Sequence, residues 1–149
     1  MCRILGLILA VLATTLAPLA AQSPNAQAQV TIKAPKKVLA EIAAKLADQG
    51  FTGLKLDPLH YALPGTLPIG PWELRMEEYD RAERTIEAIR NAVGFRADIL
   101  IGTHGQITPS VSRRLAKRLE KYDPLWLEEP CPPENFEEMG RIAASTSIP

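Results

Sequence analysis

The chain has only two cysteines, Cys2 and Cys131. They form no C-x-x-C pair and share no spacing with histidine that would mark a zinc site. Cys2 stands so close to the start that a structural disulfide is not expected, and Cys131 reads as a small packing residue. Charge of one sign is also missing, since 17 basic residues balance 17 acidic ones. With no compact basic run interleaved with aromatics, that balance argues against a nucleic-acid partner. No G-x-G-x-x-G follows a strand-like run. No phosphate-binding GKS or GKT, no G-x-S-x-G and no H-E-x-x-H is present. Dinucleotide, P-loop, nucleophile-elbow and zincin chemistry therefore have no motif support.

A length of 149 residues with 46% hydrophobic content is enough for one packed domain. The first 28 residues differ in kind from the rest. Arg3 supplies a positive charge, Ile4 to Ala13 is wholly apolar or glycine, and small residues follow. Ala26-Gln27-Ala28 has the small-x-small form of a signal peptidase site, with Leu19-Ala20-Ala21 as a second candidate. The apolar run before Pro18 is short of the roughly 20 residues a membrane span needs. The expected division is a signal-like segment over 1–28, giving an exported protein, and a domain over 29–149. Without a working signal the protein stays in the cytoplasm.

Within the domain the hydrophobic period alternates between helix and strand. Val38, Ile42 and Leu46, flanked by Leu39 and Ala43, predict a helix that begins near Pro35 and ends before Gly50. Phe51–Leu56 reads as a strand closed by Asp57-Pro58. Leu59–Trp72 is a long loop punctuated by proline and glycine, with His60, Tyr61 and Trp72 as aromatic packing or contact residues. Glu73–Val93 is the longest predicted helix, with Tyr79, Ala82, Ile86, Ile89 and Val93 on its inner face. Asp98–Ile101 is the next strand. Thr108 and Pro109 open a helix with Val111, Leu115 and Leu119 inside and a basic stripe outside. Leu125–Glu128 is a third strand. Asn135 and Glu138 resemble a capping box for a last helix through Ala144, its buried side being Phe136, Met139, Ile142 and Ala143. Ser147-Ile148-Pro149 reads as the approach to a further strand.

Such alternation predicts an α/β fold with parallel strands flanked by helices, about three βα units in all. In a parallel sheet the carboxyl ends of the strands share one rim, and that rim is where such folds place chemistry. His104 follows the second strand and Glu128 tips the third.

Three stretches in order, GFTGLKLDP (Gly50–Pro58), DILIGTHGQITPS (Asp98–Ser110) and PLWLEEPCPPEN (Pro124–Asn135), resemble the enolase superfamily. Within it they are similar to the mandelate racemase/muconate lactonizing group, and there to sugar-acid dehydratases of the galactonate type. The resemblance implies a partial (β/α) TIM-barrel-like segment, with the three strands as barrel strands two, three and four. It implies a small-molecule sugar acid as ligand, magnesium as cofactor and dehydration as the reaction, and it leaves a homo-oligomer open. Proton loss beside a carboxylate requires the developing negative charge to be neutralised, which the metal does in this family.

Carried over residue by residue, His104 matches the general acid for the departing hydroxyl. Lys55 matches a strand-two lysine that holds or polarises the substrate carboxylate. Asp57, where racemases have a second lysine, and Gln106 fall at substrate-binding positions. The loss of that second lysine favours dehydratase over racemase chemistry. Glu128 matches the strand-four metal ligand, and Glu129 a supporting position. Gly102 stands where the strand-three ligand is an acid. A closed (β/α)₈ barrel takes about 250 residues, so the expectation is a fragment or truncated relative. The alternative expectation is a non-catalytic exported α/β module that keeps the family's sequence.

Overall fold

A computed structural model of the chain describes residues 36–59 and 72–149. The signal-like segment, Pro35, His60 and Tyr61 lie outside the described residues. Within them the elements follow the predicted order: α1 (Lys36–Asp48), β1 (Gly53–Leu56), α2 (Met76–Val93), β2 (Asp98–Gly102), α3 (Pro109–Leu119), β3 (Trp126–Glu128) and α4 (Phe136–Ala143). The three strands form one parallel sheet in the order β1-β2-β3. No helix among the described residues is long and apolar enough to cross a membrane.

The alternation of side chains along the strands divides the sheet into two faces. Leu54, Leu56, Ile99, Ile101 and Leu127 share one face and pack with the inner residues of the helices into a single core. Lys55, Leu100, Gly102, Trp126 and Glu128 share the other face. The helices thus cover one side of the sheet, and the charged residues at the strand ends belong to the opposite side.

The longest helix follows its sequence pattern residue for residue. Tyr79, Ala82, Ile86, Ile89 and Val93 are all buried. It begins at Met76, three residues after the expected start, because the Glu78 carboxylate accepts the Arg75 amide at 2.7 Å and fixes the first turn there. Trp72 is instead drawn into a parallel bridge with Ile107, donating to the Gln106 carbonyl at 2.7 Å and accepting from the Thr108 amide at 3.2 Å. β1 begins at Gly53 rather than Phe51, and β3 at Trp126 rather than Leu125. α3 starts as read, with the Thr108 hydroxyl accepting the Val111 amide and Pro109 in the first turn. A short 3-10 turn over Glu120–Tyr122 then leads to Asp123 at φ 48°.

Two predicted faces need correction. On α1 the core-facing residues are Leu39, Ala43, Leu46 and Ala47, while Val38 is exposed, so the buried stripe is rotated by one position. On α4 only Ile142 is buried. Phe136 is 75% exposed, Ala143 is exposed and Met139 is half-buried. This helix rests on α3, so a narrower stripe of it is covered than the pattern of four apolar residues suggested.

The outer charges of α2 and α3 are less free than solvated faces would be. Arg118 donates to Glu83 at 2.7 Å and pairs with Asp80, and Lys121 reaches Glu83 at 2.5 Å. Arg114 and Arg118 both lie over the Tyr79 ring. These contacts clamp α2 to α3. The Lys121 and Arg118 partners hold the Glu83 carboxyl below its usual range. Cys131 is fully buried, and burial pushes its thiol up, as suits a packing residue. At the end of the chain the Leu127 amide donates to the Pro149 carbonyl at 2.8 Å, so the last residues lie beside β3.

Candidate functional site at the strand ends

The sheet brings the carboxyl ends of β1, β2 and β3 to one rim. Asp57 leaves β1 there, Gly102 ends β2 with His104 two residues on, and Glu128 ends β3. The register sets Gly102 directly opposite Glu128, with Lys55, Leu100 and Trp126 in the row behind. Lys55 reaches forward along the sheet to the tip row. Its Nζ lies 2.6 Å from Glu128 Oε1, with side-chain exposures of 26% and 39%.

The second oxygen of Glu128 also has a donor, since the Trp126 indole N–H lies 3.2 Å from Oε2. Trp126 did not stand out in the sequence as a site residue. The signal was there in the two-residue spacing, which puts Trp126 and Glu128 on the same face of β3.

The second pair on the rim joins Asp57 and His104. Asp57 Oδ2 lies 3.3 Å from His104 Nδ1, and Asp57 Oδ1 accepts the Leu59 amide at 2.8 Å. A turn directly after β2 aims the histidine. His104 has φ 55° and Gly105 φ 64°, two successive left-handed residues. The Gly105 amide donates to the Glu129 carbonyl at 2.9 Å, and the buried Thr103 hydroxyl donates to the same carbonyl at 2.8 Å. Glu129 itself has φ 47° and an exposed side chain, and it holds the His104 turn through its backbone carbonyl. The Gln106 backbone is tied to Thr103 and Trp72, which sets the half-buried side chain at the margin of the same rim.

The structure therefore brings Lys55 to Glu128 and Asp57 to His104, in two adjacent pairs. It does not gather a metal-ligand set. Among the described residues no group of three or more His, Cys, Asp or Glu side chains converges for a metal ion. Gly102 offers no donor side chain opposite Glu128, and both Glu128 oxygens already accept from Lys55 and Trp126. Magnesium prefers an octahedron of hard oxygen ligands, and the residues described here do not fit that requirement.

The comparisons agree with this fold. A family model described as enolase C-terminal domain-like matches residues 37–149, and the chain belongs to that family. It is 42% identical over 76 residues to the D-xylonate dehydratase of Haloferax volcanii, a stretch covering 51% of this chain and 18% of that protein. It is 36% identical over 110 residues to the D-gluconate dehydratase of Thermoproteus tenax, covering 72% of this chain and 20% of that protein. The crystal structure of a mandelate racemase/muconate lactonizing enzyme from Jannaschia sp. CCS1 superposes with a TM-score of 0.70 at 43% identity, over 76% of this chain and 28% of the other. The chain thus spans about a fifth of the length of these curated relatives.

Proposed function

We propose that this chain is part of the barrel domain of a sugar-acid dehydratase, a hydro-lyase that removes water from an aldonic acid. The observation that carries this reading is the convergence of Lys55, Asp57 and His104 on one rim, beside the turn that projects His104. Dehydration passes the acidic C–H proton to a base, moves that electron pair into a C=C bond and breaks the bond between a hydroxyl and the neighbouring carbon. The departing oxygen needs a proton as it leaves. An imidazolium at His104 can give that proton from Nε2 while Asp57 holds Nδ1–H. Such acid catalysis is worth about 10²–10⁴-fold.

Lys55 is assigned to the substrate carboxylate. Its ammonium has three N–H donors, of which Glu128 engages one, and the side chain is partly exposed. Gln106 and Asp57 border the same space. The relatives' family generally works with magnesium. The residues described here do not fit that ion, so no step is assigned to it. That misfit favours a second reading, an α/β module that retains the family's sequence without turnover. The Met1–Ala28 segment is read as an export signal within the same proposal. N-terminal sequencing that finds Gln29 first supports it, and an intact Met1 rejects it.

The test is a dehydration assay on a panel including xylonate, gluconate and galactonate. Turnover that falls at least about 100-fold in His104→Asn supports the assignment. Equal turnover in that variant removes His104 from the chemistry, and no turnover on any acid leaves the non-catalytic module.

A further inference from the structure

Gly102 has no backbone reason to be glycine. It is absent from the residues with positive φ, where Gly50, Gly94 and Gly105 are found. Its surroundings give the reason instead. A Cβ built on Gly102 would lie 3.1 Å from Lys55 Cε and 3.8 Å from Nζ. The lysine stem therefore runs through the space that a side chain at position 102 would fill. It does so on the way to Glu128, one strand further along, where Nζ meets Oε1 at 2.6 Å. Trp126 closes the other side of the carboxylate at 3.2 Å.

We infer that Lys55 is the resident cation of this rim, that Gly102 is the gap that admits it, and that Glu128 is neutralised by this ammonium and not by a divalent ion. Three residues on three strands make one device. β1 supplies the charge, β2 supplies the opening and β3 supplies the anchor. The anchor matters because an unpaired lysine on a four-carbon stem samples many rotamers, whereas one held by a carboxylate presents its remaining N–H donors in a fixed direction. The device stands apart from the dehydratase reading, because its tests involve no turnover.

The first test uses manganese as the probe and water-proton relaxation as the readout. The wild-type protein is expected to show no enhancement over free manganese. Enhancement that disappears in Glu128→Gln overturns the inference. The second test is a double-mutant cycle of Lys55→Met and Glu128→Gln, read by the unfolding equilibrium in EDTA and again in excess magnesium. A partly exposed pair of this kind should couple by about two- to fivefold. The coupling should be the same in both buffers, and Gly102→Ala should reduce it by displacing the lysine stem. Coupling absent in EDTA, or present in EDTA and abolished by magnesium, overturns the inference. Should Gly102→Ala fail to fold, the manganese measurement and the two-residue cycle still decide.

Discussion

Asp57 Oδ2 stands 3.3 Å from His104 Nδ1, while the other oxygen of the same carboxylate takes the Leu59 amide at 2.8 Å. The acceptor is thus fixed by its own backbone before it meets the histidine. A ring with Nδ1 engaged keeps Nε2 for whatever approaches the rim. In the neutral ring the proton is expected on Nδ1, the tautomer an acceptor at that position selects. Nitrogen-15 NMR of the imidazole reads this directly. The chain has two histidines, so a His60→Gln background isolates the signal. Asp57→Ala should move the proton to Nε2. An Nε2-protonated ring in the unmutated protein would falsify the pairing.

Arg90 is a structural clamp that the sequence presents as one more surface charge. Its guanidinium donates to four carbonyls: Tyr122 at 2.9 Å, Gly94 at 2.7 Å, Ala97 at 3.0 Å and Asp123 at 2.9 Å. These join the end of α2, the approach to β2 and the turn before β3. Arg90→Ala leaves those carbonyls to water or to nothing, at an expected cost of about 2–3 kcal/mol. Arg90→Lys should recover little, because a single ammonium cannot span the four acceptors that a planar fork reaches. Urea unfolding midpoints check both. A loss below about 0.5 kcal/mol in the alanine variant would place Arg90 among ordinary surface residues.

Most of the fold was legible because periodicity survives folding. Every apolar residue assigned to the inner face of α2 is buried, and all three strands pair in parallel as their alternation with helices required. Faces were misread where coverage, not pattern, decides. Phe136 has the spacing of a buried residue, yet nothing covers most of it. At the site, the resemblance led to Lys55, Asp57, His104 and Glu128 as separate positions. The pairings between them depend on how far a lysine stem travels across a glycine and on how a turn aims a ring. No one-dimensional pattern encodes either.

Gly105 tests the turn that aims His104. Its φ is 64°, and an added Cβ would stand 3.3 Å from the Cys131 carbonyl oxygen and 3.3 Å from Pro132 Cα, both backbone atoms that cannot swing away. Gly105→Ala therefore meets two penalties, a left-handed backbone and a close contact, with an expected cost of about 1–3 kcal/mol. Since the same residue donates its amide to Glu129, the variant should also disturb the His104 tautomer. Thermal unfolding and the nitrogen-15 spectrum are the two readouts. A variant with unchanged stability and an unchanged spectrum would show that the turn accommodates a side chain.

Glu120 gives the acid limb of stability its clearest prediction. The Ser147 amide donates to its carboxylate at 2.8 Å, and Lys117 adds a contact at 3.0 Å. The Ser147 amide foremost, then the Thr146 side chain and Lys117, hold its carboxyl down from 4.5 to about 2. A carboxyl depressed in the folded state contributes stability that is fully present above its unfolded value. That contribution is lost as the pH falls from about 4.5 toward about 2. Glu120→Gln removes the titrating group while keeping an acceptor for Ser147. The variant should unfold with a shallower pH dependence between those two values, and with the dependence above that window unchanged. The remaining acid slope belongs to other depressed carboxyls, among them Glu83, held down first by Lys121, and Glu138, held down first by Arg141. Denaturation midpoints measured across that window decide the matter. Parallel curves for the two proteins would mean that the tether from the 3-10 turn to Ser147 does not form in solution.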